Sequence, residues 1–221
     1  MKFTIITSTY NAGESLRETA KSLKDQSYQD FEWFVVDGAS QDNTIEIARS
    51  LGDLINTLVS EPDSGIYDAW NKVLSRVGGD WVLFLGAGDQ LHDSETLNSV
   101  AQFLSGIPHE STSIAYGGVE EFDQRTGQVG NKYHVQWMGV EGPWAGIRPA
   151  LPHHQGVFHH SRLFRGGFTF DTRCKIAADN ELVLRELIKG HGVDLGLTVS
   201  RFALGGVSTI KSNRLRMNLE M

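Results

Sequence analysis

Apolar runs and amphipathic stretches alternate along the first third of the chain. The runs at 3–7, 31–36 and 81–85 are dense in Ile, Val, Leu, Phe and Trp and have the length of buried strands rather than of buried helices. Between them, 15–24 and 43–51 place apolar residues at helical spacing. A shorter strand is expected at 54–60, and after the turn Pro62-Asp63-Ser64-Gly65 a helix runs from Ile66 toward Arg76. Strand, helix, strand in this order predicts parallel strands joined by crossover helices, the pattern of a nucleotide-binding α/β sheet. From 111 to 156 the pattern weakens into short apolar pieces and glycines, read as an insertion with edge strands and mobile loops. Order returns with a run at 156–159, a helix at about 178–189 and a strand at 193–201. Nothing resembling a repeat or a linker divides the chain, so a single domain over 1–221 is expected, with halves at 1–105 and 106–221.

Composition narrows the class. The chain has 221 residues, 40% of them hydrophobic, enough for one substantial core. Its longest apolar runs fall well short of a membrane span, and its first residues lack the long apolar core of a signal peptide, so a cytoplasmic location is expected. One cysteine, Cys174, leaves no internal disulfide and no Cys-rich zinc site, and reads as a small, partly buried residue. A net charge of −7 argues against nucleic-acid partners. Lys211, Arg214 and Arg216 form either a solvated tail or a basic touch-point for a membrane surface or a partner.

In open α/β sheets ligands lie beyond the carboxyl ends of the strands, and here those loops are polar. Thr7-Ser8-Thr9-Tyr10-Asn11 follows the first strand, Asp37-Gly38-Ala39-Ser40-Gln41-Asp42 the second, and Gly86-Ala87-Gly88-Asp89 the strand at 81–85. Asp37 is either a turn former or a carboxylate that accepts an N–H from a base. Asp89 suits a hard cation bridging two phosphates. At helical spacing Asp68, Asn71 and Lys72 share a polar face, and the turn before Tyr67 offers free N–H groups to an anion, unless Asp63 or Ser64 merely caps the helix. Asp179 opens the late helix as either its cap or a general base. Four histidines at 153, 154, 159 and 160 raise the question of zinc, but adjacent histidines on a strand point to opposite faces.

Taken together, Ile5-Ile6-Thr7-Ser8-Thr9-Tyr10-Asn11, the stretch from Val35 through Thr44, the Glu61 to Lys72 segment and Ile176-Ala177-Ala178-Asp179-Asn180-Glu181-Leu182 resemble the family 2 glycosyltransferases, in particular the bacterial branch of exopolysaccharide, capsule and O-antigen assembly. The resemblance covers nearly the whole chain. It implies the GT-A fold: a Rossmann-like, mostly parallel central sheet flanked by helices, with a smaller acceptor-side sheet. It also implies inverting transfer of a hexosyl or N-acetylhexosaminyl group from a nucleotide-diphosphate sugar, UDP favoured over GDP. The acceptor would be a saccharide or a lipid-linked sugar, met by peripheral contact at the inner face of the membrane. Asp179 would be the base; Thr9, Asn11, Asp37, Asp63, Gly65, Tyr67, Asp68, Asn71 and Lys72 would line the donor; and Asp89 would hold Mn2+ or Mg2+. His154, Gln155, Glu181 and Ser208 would serve the acceptor and diphosphate side. Family members commonly carry two consecutive acids where this chain has Gly88-Asp89, so the first acid is missing. That departure leaves open a degenerate sugar-nucleotide binder assisting a partner transferase. A nucleotidyltransferase would want a basic, glycine-rich loop after the first strand, and 7–13 has one glycine and no Lys or Arg.

Overall fold

The computed structural model describes residues 1–108, 110–137, 139 and 150–203. Strands β1 (Phe3–Thr9), β2 (Phe31–Asp37), β3 (Thr57–Ser60) and β4 (Trp81–Gly86) are parallel neighbours in the order β3-β2-β1-β4, with helices α1 (Gly13–Lys24), α2 (Thr44–Ser50) and α3 (Ile66–Asn71) between them. Strand β3 is shorter than its apolar run because Gly52–Leu54 forms a 3-10 turn, and α3 ends at Asn71, with a separate 3-10 turn at Leu74–Arg76.

Beyond β4 the same sheet continues through β8 (Val157–His160), β6 (Ile114–Phe122), β9 (Gly192–Ala203) and the short β5 (Gln90–Leu91), with β7 (Val129–Tyr133) also on β6. These later strands are therefore continuous with the β3-β2-β1-β4 sheet, joined to it through β8. β8 lies antiparallel to both β4 and β6, while β6 and β9 run parallel.

One sequence expectation is corrected here. β6 is a central, buried strand and not an edge piece of an insertion. Its sequence hides this because Gly117 and Gly118 interrupt the apolar run. Close packing demands at least the first of these glycines: a Cβ on Gly117 would lie 2.4 Å from the Leu197 carbonyl oxygen. Helix α4 (Thr96–Ser105) is a further element without a counterpart in the sequence reading.

Alternation along the strands feeds two apolar layers. Phe3, Ile5, Trp33, Val35, Trp81, Leu83 and Leu85 face α1, α2 and α4 on one side. Ile6, Phe34, Val36, Val82 and Phe84 face α3 and α5 (Ala178–Ile188) on the other. Because Tyr67, Ala69 and Trp70 of α3 and Ala178 and Leu182 of α5 bury into one cluster, the first turns of these two helices are brought together.

Candidate active site

The loops at the carboxyl ends of β1, β2, β3 and β4 converge. Asn11 sits at φ 48°, donates its backbone N–H to Ser40 Oγ at 2.8 Å and accepts the Gln41 N–H at 2.8 Å, locking the first two loops together. Asp37 is fully buried. It accepts the Ser40 N–H at 3.0 Å and the Ser60 hydroxyl at 2.8 Å, and it also takes the Ser40 hydroxyl, so its carboxylate organises the loops after β2 and β3. Thr9 pairs with Asp37 across the strands, and its buried hydroxyl has no hydrogen-bond partner among the described residues. A Cβ on Gly38 would stand 2.7 Å from Asp63 Oδ2, so any larger residue there would displace the Asp63 carboxylate.

The turn before α3 behaves differently from expectation. Asp68 Oδ2 accepts the Ser64 N–H at 2.8 Å, and Asp63 Oδ1 accepts the Gly65 N–H at 2.9 Å. Two amides of this turn, those of Ser64 and Gly65, are thus taken by the chain's own acids; the Ser64 bond in turn lowers the Asp68 carboxyl below the usual value. Gly65, at φ 135°, is the residue that makes this turn available to the chain.

The polar face expected on α3 also divides. Asn71 clamps Phe170 with both ends of its amide, donating to the Phe170 carbonyl at 2.9 Å and accepting the Phe170 N–H at 2.8 Å. Lys72 donates to the Pro62 carbonyl at 2.8 Å and pairs with Glu61 at 3.4 Å. Both hold loops in place in this arrangement.

Tyr67, almost fully buried, does more than line a pocket. Its hydroxyl donates to Asp179 Oδ1 at 2.7 Å, while His154 Nδ1 stands 3.2 Å from Asp179 Oδ2. Helix α5 begins after Ala177, which places Asp179 in the first turn and leaves its side chain for these two partners, so the capping alternative falls. Burial alone would push the Asp179 carboxyl up, but the His154 and Tyr67 contacts outweigh it and hold the group below the usual aspartate value. For His154 burial opposes charging, yet Asp179 and the more distant Asp89 raise it above an ordinary histidine. The pair is therefore a carboxylate and an imidazolium at mildly acidic pH. Tyr67, pressed by burial and by the neighbouring charge, stays a neutral donor far above its ordinary range. Trp70, Phe84 and Phe170 wall the pair with ring contacts of 4.2 to 5.7 Å among themselves and Tyr67. A low-dielectric wall of this kind strengthens both contacts.

Asp89 lies where the sequence places it, in the turn after β4. Its Oδ2 accepts the Gly86 N–H at 2.8 Å and its Oδ1 accepts the Ala203 N–H at 3.1 Å, and Gln155 reaches it from the 3-10 turn His154–Gly156. Burial pushes its carboxyl above the usual value. Among the described residues no group of three or more His, Cys, Asp or Glu is arranged to hold a metal by itself. With Gly86, Ala203 and Gln155 donating to it, the Asp89 carboxylate keeps one of its four lone pairs, and a single carboxylate ligand suits a hard cation whose other ligands are diphosphate and water. The residues fit a cation carried by a diphosphate and do not fit a bare ion.

Of the remaining candidates, Glu181 is not gathered in. Two residues on from Asp179 along α5, it turns about 200° around the helix and pairs with Arg185 at 3.2 Å on the solvent side. Ser208 lies outside the described residues. Two polar residues join the site without having been expected. Thr19, inside α1, receives the Gly88 N–H at 2.9 Å and donates to the Asp89 carbonyl at 2.8 Å. A threonine in the apolar stripe Leu16, Ala20, Leu23 was a readable signal. Gln124, from the β6–β7 turn, reaches the Gly88 carbonyl at 3.1 Å, and no local pattern announces it.

Comparison with known proteins adds a family to this geometry. The family model described as Glycosyl transferase family 2 matches residues 4–165. A PGL/p-HBAD biosynthesis glycosyltransferase of Mycobacterium bovis (strain BCG / Pasteur 1173P2) is 30% identical over 187 residues, covering 83% of this chain and 68% of that protein. Among solved structures, the mannosyltransferase PcManGT from Pyrobaculum calidifontis, in complex with GDP-Man and Mn2+, superposes with a TM-score of 0.69 at 20% identity, over 97% of this chain and 60% of that one. TarS 1-349 of S. aureus in complex with UDP-GlcNAc gives 0.66 at 20% identity, over 93% of this chain and 59% of that one. This chain thus spans about two thirds of the mycobacterial relative and less of each solved neighbour. The neighbours share the GT-A arrangement of a mixed α/β sheet with flanking helices. No helix among the described residues is long and apolar enough to cross a membrane.

Proposed function

The chain belongs to glycosyl transferase family 2, and from that premise we propose that it is an inverting transferase in bacterial surface-polysaccharide assembly, moving a hexosyl or N-acetylhexosaminyl group from a nucleoside-diphosphate sugar to a saccharide or lipid-linked acceptor. The observation that carries this reading is the Asp179 carboxylate, kept ionised between Tyr67 and His154 at the end of the sheet where the strand loops converge.

In this reading Asp179 takes the proton of an acceptor hydroxyl as that oxygen forms its bond to the anomeric carbon. The bond from that carbon to the diphosphate breaks on the opposite face, its electron pair leaves on the diphosphate, and the configuration inverts. Tyr67 and His154 position the base. Thr9, Asn11 and Asp37 serve the nucleoside, the turn at Asp63, Gly65 and Asp68 borders the donor, and Gln155 with Ser208 serves the acceptor and diphosphate side. A divalent cation on Asp89, Mn2+ or Mg2+, would supply positive charge to the leaving diphosphate. The unpartnered Thr9 hydroxyl beside Asp37 is a ready contact for a polar ligand. Residues 1–105 would carry the donor and 106–221 the acceptor. UDP is favoured as the nucleotide, since TarS binds UDP-GlcNAc; PcManGT binds GDP-Man, so GDP is the control.

Calorimetric titration with UDP and GDP, with and without Mn2+, tests the reading. Binding of one nucleotide, together with loss of turnover but not of nucleotide binding in Asp179→Asn, supports it. Absence of binding by either nucleotide overturns it, and binding without turnover in the parent protein moves the reading to a sugar-nucleotide binder assisting a partner.

A further inference from the structure

Residue 88 is where this chain carries glycine beside Asp89, and the structure gives that glycine a reason. Gly88 adopts φ 101°, a conformation that L side chains rarely take. A Cβ built on it would lie 2.2 Å from Gln124 Nε2 and 3.3 Å from Ala203 Cβ. The space beside residue 88 is therefore filled by the Gln124 amide. That amide is held at both ends: Nε2 donates to the Gly88 carbonyl at 3.1 Å, and Oε1 accepts the Ser15 hydroxyl at 3.3 Å. The turn presenting it is preset as well, since Asp123 Oδ1 accepts the Arg125 N–H at 2.8 Å and the Asp123 carbonyl accepts the Gly127 N–H at 2.9 Å. On the other side the Gly88 N–H is fixed by Thr19.

We infer that Gln124 stands in for an acidic side chain at residue 88, steadying the Gly86–Asp89 turn with a neutral amide, so that a divalent cation enters this site only together with a nucleoside diphosphate. The inference rests on the proposed donor site. Its physical basis is charge. One carboxylate with three of its four lone pairs already engaged is a weak partner for a hydrated dication, which parts with its water reluctantly. The amide that fills the space at Gly88 adds no charge, whereas a diphosphate adds enough to bring the ion in. Gln124 reaches this turn from the acceptor half of the chain, so the loop that would carry the cation is fastened to both halves at once.

Free Mn2+ is counted by its electron paramagnetic resonance signal as the ion is titrated into the protein alone and into protein with UDP, with UDP binding in EDTA measured alongside. The parent protein is expected to leave the signal unchanged up to millimolar Mn2+ and to take up about one equivalent once UDP is present. Gln124→Glu places a carboxylate against Gly88, one residue from Asp89, and is expected to bind Mn2+ without UDP, at least tenfold tighter than the parent. Gln124→Ala is expected to weaken uptake of Mn2+ with UDP several-fold and to leave UDP binding in EDTA unchanged. Micromolar Mn2+ binding by the parent alone, or a Gln124→Glu protein of native circular dichroism that gains no Mn2+ binding, overturns the inference. Absence of binding of both UDP and GDP by the parent, in EDTA and with Mn2+ alike, overturns the donor reading instead, and the Gln124→Glu titration without nucleotide still decides where Gln124 lies relative to the cation.

Discussion

Tyr67 on α3 and Asp179 on α5 stand 112 residues apart in sequence and share a 2.7 Å hydrogen bond in the buried wall of the site. A neutral donor on a carboxylate stabilises the charged form, so it both fixes the side chain and lowers its pKa. Tyr67→Phe keeps the ring packing against Trp70 and Phe170 and removes only that donor. Bonds to charged groups are worth about 1.5–3 kcal/mol, which predicts roughly a 10- to 100-fold fall in turnover. The acid limb of the turnover profile should move to higher pH, while nucleotide affinity stays level. An unmoved acid limb would remove Tyr67 from any role in tuning the base.

The Asp179 and His154 pair predicts a stability profile with a defined sign. His154 is raised, so its contribution is complete below the ordinary histidine value of about 6.5 and is lost as pH rises through its higher folded value. Asp179 is lowered, so its contribution is present above about 3.9 and is lost as pH falls through its lower folded value. Between those limits both charges are in place. Urea denaturation of the parent and of His154→Gln at pH 5.5 and pH 8.5 should therefore differ more at the lower pH. Equal differences at both values would mean that the imidazolium plays no part.

How much of this was legible in the sequence depended on the range of the interactions. Strands β1, β2 and β4 announced themselves because an apolar run is a local property, and Asp37, Asp89 and Asp179 because each follows or opens such an element. The partnership of Tyr67 with Asp179 was not readable. It arises because Trp70 and Leu182 bury in one cluster, a contact between helices at opposite ends of the chain. β6 was misread for the opposite reason: its glycines look like loop, and only the close passage of Leu197 explains them. Gln124 left no trace because an exposed turn residue gains its meaning from what the fold places opposite it.

His159 supplies an acid-sensitive point in the core that the proposed chemistry does not use. It lies on β8 with Phe84 and Phe164 at 5.5 and 6.0 Å between ring centres, and burial pushes it down to about 4. A histidine whose folded value lies below its unfolded value loses stability as pH falls from about 6.5 toward 4, because the unfolded chain takes up the proton first. The expected loss between pH 7 and pH 5 is about 1–2 kcal/mol. His159→Leu should remove that slope even if it lowers stability at neutral pH, and an unchanged slope would place the acid sensitivity elsewhere.

Asn71 separates a donor contact from a structural clamp. Its amide pairs with both backbone groups of Phe170, whose ring packs on Tyr67, Trp70 and Phe84 in the wall around Asp179. Asn71→Ala leaves a backbone donor and a backbone acceptor at a buried residue without their partner, a loss of about 1–3 kcal/mol in stability. Asn71→Asp keeps an acceptor for the Phe170 N–H but sets a second acceptor against the Phe170 carbonyl, so it should recover only part of that loss. Because neither change touches a donor-facing atom in this arrangement, nucleotide affinity at a temperature where both variants stay folded should remain within about twofold of the parent, an interval set by roughly 0.4 kcal/mol. A variant that keeps its stability but loses nucleotide binding would return Asn71 to the donor pocket and show that the Phe170 clamp opens when the ligand arrives.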